Sequence, residues 1–367
     1  MDGLEQARAT INEADREMAK LFARRMEAVR QVSAYKQAHG LPVLDASRER
    51  AVVENNAALY PDGETKAYYI DFLQDVMDLS KRYQHRLLEG FSVAYSGVEG
   101  AFADIAARRI FPEAKRVGYG DFAAAYRSVQ CGECDCAVLP VENSYAGVVG
   151  QVMDLMFEGD LFVNGIYSLP VTQNLLALPG ASLSGIQTVV SHPQALAQCA
   201  AYLQSHGFEA VPASNTAAAA KSVARGSDPT VAAIASAETA ALYNLIVLDH
   251  DINESPVNST KFAVFSRRES RPLKKDSRFL LLFTVNDVAG ALAKAINVIA
   301  DHGFNMKVLR SRPVRGHAWQ YYFYVEGEGD ETTPNGQRML AQLAGQCGMM
   351  KIAGHYGDDM VLKAALQ

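Results

Sequence analysis

GFSVAYSGVEGAFA, residues 90–103, is where the chain changes rhythm. Before it, apolar residues recur at helical spacing: Leu4, Ala7, Ile11, Ala14, Met18 and Leu21 step alternately by three and four. After it, short apolar runs alternate with helical stretches, the pattern of an α/β domain. The junction therefore separates a helical segment, 1–90, from an α/β segment. Within it, 92–95 reads as a strand. The glycines at 97 and 100 form a turn into a helix, which presents backbone N–H groups to an anion. Ala101 and Ala103 carry no hydroxyl, so the turn offers main-chain donors alone.

Toward the N-terminus, no Gly or Pro interrupts between Leu4 and His39, and Gly40 with Pro42 supplies the stop signals for one long helix. A second helix starts at Asp45, a good N-cap, and stops at Pro61-Asp62-Gly63; a third covers about 64–89. Arg25 and Lys36 share a face of the first helix, roughly 16 Å apart. Arg8 lies about 25 Å from Arg25 along the axis and about 100° around it, so one helix cannot bring both to a small ligand. A partner subunit could supply the missing arginine. Arg48 and Glu49 open the second helix, and Ser80 and Gln84 are one turn apart on the third. Singly these are surface residues; together they describe a cation-rich pocket suited to a dianion, since arginine grips carboxylates in a bidentate fork.

This segment resembles the all-helical chorismate mutases over 4–88, with Arg8, Arg25, Lys36, Asp45, Arg48, Glu49, Ser80 and Gln84 on that family's active-site positions. The resemblance implies rearrangement of chorismate to prephenate. That reaction needs a held conformer and charge stabilisation at the breaking ether oxygen, not a nucleophile. Arg25 and Arg48, with Arg8 from the partner chain, would clamp carboxylates. Lys36 and Gln84 would face the ether oxygen. Glu49 and the Asp45 backbone would place the ring hydroxyl, with Ser80 assisting a carboxylate. The resemblance thus implies an intertwined homodimer.

Downstream, strands are expected at 136–140, 188–190, 231–235 and 262–265, with polar motifs at their ends. These are Glu142-Asn143-Ser144, Ser191-His192-Pro193-Gln194, Asn215-Thr216 and Asn258-Ser259-Thr260-Lys261-Phe262. Ser191 and Gln194 read as a capping box with Pro193 in the first turn, leaving His192 on the surface. Asn215 reads as an N-cap. Asn253-Glu254-Ser255 and Asn258-Ser259-Thr260 match the glycosylation pattern, but a reduced, cytosolic chain makes them chance matches.

Together, in order and spacing, these motifs resemble the prephenate dehydratases over 91–268. The resemblance implies an α/β, two-lobed fold like the periplasmic binding proteins, which turns prephenate into phenylpyruvate in its cleft. Its implied site is Glu142, Asn143, Ser144, Gln194, Thr216, Thr260, Lys261 and Phe262. Thr260 would hydrogen-bond the leaving hydroxyl and Glu142 would be the origin of its proton. Lys261 stands where the family has arginine, which is not a conservative exchange at a bidentate contact.

A charged linker, 269–277, containing Pro272, leads to 278–367. There the order strand, helix, strand, strand, helix, strand fits a ferredoxin-like α+β unit. Gly290-Ala291-Leu292 and Ser311-Arg312-Pro313 resemble the phenylalanine-binding motifs of ACT regulatory domains. That implies feedback inhibition by phenylalanine; Ala289 and Arg310 depart from the family's usual proline and glutamate.

Composition and charge set the outer bounds. A chain of 367 residues suggests two or three domains, and 49% apolar with 21% charged residues describes a globular protein. The net charge of −6 disfavours a nucleic-acid binder. No signal-like start and no long apolar run is present, so a cytoplasmic location without membrane association is expected. Cys131, Cys134 and Cys136 lack a second ligand pair, so neither a metal nor a cofactor is expected. The missing three-glycine dinucleotide fingerprint disfavours a mutase joined to a dehydrogenase. A sensor that has lost catalysis would show gaps in the mutase set, which is complete. The two dimer-forming segments leave homodimer and homotetramer open.

Overall fold

The computed structural model describes residues 3–43, 46–255, 257–270, 277–317, 319–357 and 360–362. The chain divides into two compact units, Met1–Ser92 and Val93–Gln367.

The first unit is three helices: α1 (Gly3–His39), α2 (Ala46–Leu59) and α3 (Lys66–Glu89). Gly90, at φ 78°, ends α3 by donating its N–H to Arg86 O. Helix α3 packs against both others and buries Val76, Met77, Ser80 and Gln84, one face at helical spacing. The regular apolar stripe of α1 has no such cover: Leu4, Ile11, Met18 and Leu21 are 48–59% exposed.

The second unit begins with β1 (Ser92–Ser96), α4 (Phe102–Ile110), β2 (Lys115–Tyr119), α5 (Phe122–Gln130), β3 (Cys136–Asn143), β4 (Gly147–Val148), α6 (Gly150–Glu158) and β5 (Phe162–Pro170). The chain then crosses to a second sheet. Its elements are β6 (Asn174–Ala177), β7 (Thr188–Ser191), α7 (Pro193–Gln198), α8 (Ala200–His206), β8 (Glu209–Pro212), α9 (Thr216–Arg225), β9 (Val231–Ala235), α10 (Ala237–Tyr243) and β10 (Ile246–Asp249). It returns to the first sheet as β11 (Ser259–Ser266). The result is two lobes joined by two crossings, which bond each other through Val171 N to Asn258 O and Ile252 N to Gln173 O, both 2.9 Å.

The C-terminal module is β12 (Arg278–Val285), α11 (Ala291–Asp301), β13 (Asn305–Pro313), β14 (Tyr321–Glu328), α12 (Pro334–Ala344), β15 (Cys347–Tyr356) and β16 (Met360–Val361). Its strands run β13-β14-β12-β15, the antiparallel order of a ferredoxin-like unit. The segments 91–268 and 278–367 do not form separate bodies. β15 continues into β5, so one sheet runs β13-β14-β12-β15-β5-β11-β3-β1-β2. This explains the unbroken apolar run of β12, which is buried on both faces. Phe279, Leu281 and Phe283 pack under α11 and α12. Leu280 and Leu282 join the core of the first lobe with Ala137, Met156 and Phe265.

Candidate active sites

In the helical unit, a cavity of about 270 Å³ is lined by Arg25, Lys36, Arg48, Glu49, Ser80 and Gln84, so six of the eight predicted polar residues converge. Asp45 lies outside the described residues, and Arg8, exposed on α1, is not on the lining. Arg25 donates to Ser80 Oγ and to Val76 O, the latter at 3.3 Å, and Ser80 Oγ donates to Val76 O at 2.7 Å. Burial lowers the Arg25 pKa from its ordinary value. Lys36 Nζ donates to Val43 O at 2.6 Å, and the buried Gln84 Oε1 has no hydrogen-bond partner among the described residues. Lys81 also lines the cavity and was not anticipated. It bridges Asp78 at 2.8 Å and Glu49 at 3.2 Å. Burial opposes its charge, but those two hydrogen bonds outweigh burial and raise its pKa. Its partner Glu49 is far away in sequence, so no local pattern announces it.

In the second unit, a cavity of about 330 Å³ lies between the lobes. Asn143, Gln194, Thr216 and Thr260 line it, as do Gln173 and Gln198, which sequence reasoning passed over, and His192, expected on the surface. Asn143 is the hub. Its Oδ1 accepts from the main-chain N–H groups of Tyr145 (3.0 Å) and Ala146 (2.9 Å), and from Gln194 Nε2 of the other lobe (3.2 Å). Main-chain donors cannot turn into acceptors, so the amide orientation is settled. Nδ2 must then donate, and it reaches Asn258 Oδ1, Ser259 O and Thr260 Oγ1 at 3.0, 3.1 and 3.0 Å. Thr260 Oγ1 accepts, which leaves its own proton for a ligand. The same polarity passes on through Asn258 Nδ2 to Gln198 Oε1 at 3.1 Å. Asn258 is 4% exposed, which closes that glycosylation match in the folded chain.

A β-bulge aims this hub. Lys261 pairs with Glu142 but Phe262 pairs with Pro140, so Val141 is an extra residue in β3. Beyond it, Asn143 lies opposite Thr260 on one face and Glu142 opposite Lys261 on the other. Glu142 therefore faces away from the cleft, and Arg310 Nη2 of β13 donates to its Oε1 at 2.5 Å. The proton role expected of Glu142 does not fit this placement. Lys261 shares that opposite face, Phe262 is a core residue at 1% exposure, and Ser144 accepts from Ser259 N at 3.0 Å off the cavity lining.

Helix starts converge on the cleft. Asn215 caps α9 through Ala218 N at 2.7 Å, as the sequence predicted. Ala101 before α4 provides no side-chain cap, but the glycine turn does not offer its donors as expected. Gly97 N donates to Tyr119 O at 2.8 Å, Gly100 N to Asp104 Oδ2 at 3.0 Å and Ala101 N to Val98 O at 3.1 Å. That leaves an anion the first-turn N–H groups of α4, beside the acidic Asp104. The expected Ser191–Gln194 capping box does not form. Ser191 Oγ donates instead to Ile234 O of β9 at 2.6 Å, and His192 takes the N-cap place, its Nδ1 accepting from Gln194 N at 3.2 Å. An accepting Nδ1 puts the proton of the neutral ring on Nε2, and burial lowers the His192 pKa, favouring that neutral form.

The module carries a third cavity, of about 420 Å³, lined by Ala291, Leu292, Trp319, Tyr321 and Phe323 among others. Gly290, at φ 81°, is the N-cap of α11. Ser311 and Arg312 are not on that lining. Ser311 is exposed, and Arg312 grips Asp154 of α6 through Nε at 3.0 Å and Nη2 at 3.2 Å. Tyr322 Oη donates to the same carboxylate at 2.9 Å and Arg315 pairs with it at 2.9 Å. Burial pushes the Asp154 pKa up, but these partners outweigh it and hold the group below the usual carboxylate range.

Residues 7–85 match the chorismate mutase type II family and residues 93–270 the prephenate dehydratase family. A bifunctional chorismate mutase/prephenate dehydratase of Enterobacter agglomerans is 30% identical over 373 residues, covering 97% of this chain and 96% of that protein. Two solved structures superpose with a TM-score of 0.67 over 72% of the chain. One, described as a novel type of quorum quenching acylase, GqqA, is 32% identical and covered to 97%. The other is a prephenate dehydratase from Arthrobacter aurescens in complex with L-Phe, 29% identical and covered to 89%.

Proposed function

The chain belongs to the bifunctional chorismate mutases/prephenate dehydratases, and from that membership we propose that its two reactions run at the helical pocket and at the interlobe cleft. The protein rearranges chorismate to prephenate, then decarboxylates and dehydrates prephenate to phenylpyruvate in phenylalanine biosynthesis.

In the helical pocket, Arg25 and Arg48 hold the substrate carboxylates and Lys36 faces the ether oxygen. Arg8 comes from a second copy of the chain. The exposed stripe of α1 supports this, because a regular apolar helix face needs a cover and a paired helix would bring Arg8 with it. Whether two or four chains assemble depends on whether the C-terminal module also pairs. A cytoplasmic enzyme is proposed; among the described residues, no helix is long and apolar enough to cross a membrane.

In the cleft, uncapped and polar helix starts receive the carboxylates of prephenate. The ring C–CO₂ bond breaks and its electron pair enters the ring. The para C–O bond then breaks with its pair, and the hydroxyl departs as the ring becomes aromatic. The observation that carries this reading is the settled polarity at Thr260. Asn143 donates to its oxygen, so the hydroxyl proton is directed at the departing oxygen, where negative charge develops. Thr260→Ala should stop phenylpyruvate release while chorismate is still consumed, and Arg25→Ala should do the reverse. If either substitution spares its assigned reaction, the placement of that site is wrong.

The C-terminal module is proposed as an ACT domain that senses phenylalanine at the cavity holding Ala291 and Leu292. The L-Phe complex of the Arthrobacter aurescens relative supports it.

A further inference from the structure

We propose that Arg310 of the C-terminal module is a positioning residue for the dehydration, acting through Glu142 on its neighbour Asn143. This rests on the cleft being the dehydratase site. The bulge at Val141 breaks the regular ladder one residue before Glu142, and β4, only two residues long, is the strand on the other side. Glu142 and Asn143 are nonetheless paired on both sides, with Lys261 and Thr260 of β11 and with Val148 and Gly147 of β4, so what their side-chain anchors set is the tilt of this short strand end. Asn143 is anchored on the cleft side by the network around Thr260. Glu142 is anchored on the opposite side by Arg310, with the two side chains 30% and 25% exposed.

The same face of β13 also fixes the next element. Arg312, one alternation beyond Arg310, holds Asp154 in α6, and Lys351 of β15 donates to Met156 O near the end of that helix at 2.9 Å. The module therefore grips β3 just before Asn143 and α6 just after the loop that supplies the Tyr145 and Ala146 N–H groups. An ion pair this exposed adds little to stability. Its effect is on direction: a small displacement of Asn143 turns the Thr260 hydroxyl away from its target, and catalysis is steep in such displacements.

The test uses the full-length protein and prephenate. Arg310→Gln should lower kcat for phenylpyruvate formation about tenfold with KM within about twofold, and leave the mutase rate unchanged. Glu142→Gln should do the same, and the double variant should be no worse than either alone. The exchanged pair, Glu142→Arg with Arg310→Glu, should recover part of the loss. Lys307→Gln removes a different ion pair on the same strand, to Glu328 at 2.9 Å, and should change nothing. Wild-type turnover in Arg310→Gln, or losses that multiply in the double variant, would overturn the proposal; should Arg310→Gln not fold, Arg310→Met, which also removes the charge, carries the same test. If Thr260→Ala retains turnover, the cleft assignment fails instead. If Thr260→Ala is inactive and Arg310→Gln is not impaired, only the role of Arg310 fails.

Discussion

Asn143 Nδ2 donates to Thr260 Oγ1 at 3.0 Å, and two main-chain N–H groups decide that it donates and does not accept. Asn143→Asp is nearly isosteric but replaces the donor with an acceptor. The threonine proton would then turn toward residue 143 and away from the cleft. Phenylpyruvate formation is expected to fall on the order of 100-fold, with the mutase rate unchanged. Equal dehydratase rates in both proteins would remove the hydroxyl from the mechanism.

His192 caps α7 only while its Nδ1 is unprotonated. Its folded pKa lies below the ordinary histidine value, so its contribution to stability is full above that value and is lost as pH falls through the lowered one. Dehydratase activity should decline on the acidic side of about pH 6.5. His192→Asn, which keeps an N-cap acceptor and does not titrate, should flatten that limb of the kcat/KM profile. An unchanged limb would assign the titration to another group.

Asp154 is buried beneath two arginines and a tyrosine. Asp154→Ala leaves Arg312 and Tyr322 without their acceptor and should destabilise the second unit by about 3 kcal/mol in urea unfolding. Because its pKa is lowered, the carboxylate stabilises fully above about pH 4 and progressively less in more acidic solution. The gap between wild type and Asp154→Ala should therefore narrow as the carboxylate protonates.

Arg8→Ala and Arg25→Ala should each lose mutase activity. Mixed and allowed to exchange subunits, they should recover about a quarter of the wild-type rate, since half the dimers are mixed and each has one intact site. No recovery after verified exchange would mean that Arg8 does not cross between chains.

Phenylalanine should inhibit phenylpyruvate formation and leave the mutase unaffected. Leu292→Arg, which puts a charge into the module cavity, should abolish that inhibition. Absence of inhibition up to millimolar phenylalanine would leave the module a purely structural part.

The helical unit and the C-terminal module were legible because each rests on local periodicity. α1 runs Gly3–His39 with Gly40 next, and the six elements read for the module appear in that order, followed by the short β16. The cleft was legible only in part. Asn143, Gln194, Thr216 and Thr260 carry polar groups at element ends, where such groups emerge. Glu142, Ser144, Lys261 and Phe262 sit in the same motifs but alternate away from the cleft or are buried, and which face a residue takes depends on a bulge the sequence does not mark. β2, β4 to β6, β8 and β10 escaped because they are short or half polar. His192 was misplaced because Ser191, the better capping type, is drawn off by a carbonyl of β9 that only the folded sheet brings near.

The pairing of Gly354 in β15 with Val163 in β5 has a consequence for how the protein can be divided. A side chain at 354 would collide with the Val163 backbone, so the strands meet there at close range. Tyr322, Tyr324 and Tyr356 belong to the same core as Ala137 and Phe265. Truncation before β12 would strip β5 of a neighbour and open that core to water. Such a protein would not be an enzyme freed from its regulator. It would be a wall removed from a room, prone to aggregate, and any loss of inhibition in it would say nothing about where phenylalanine binds.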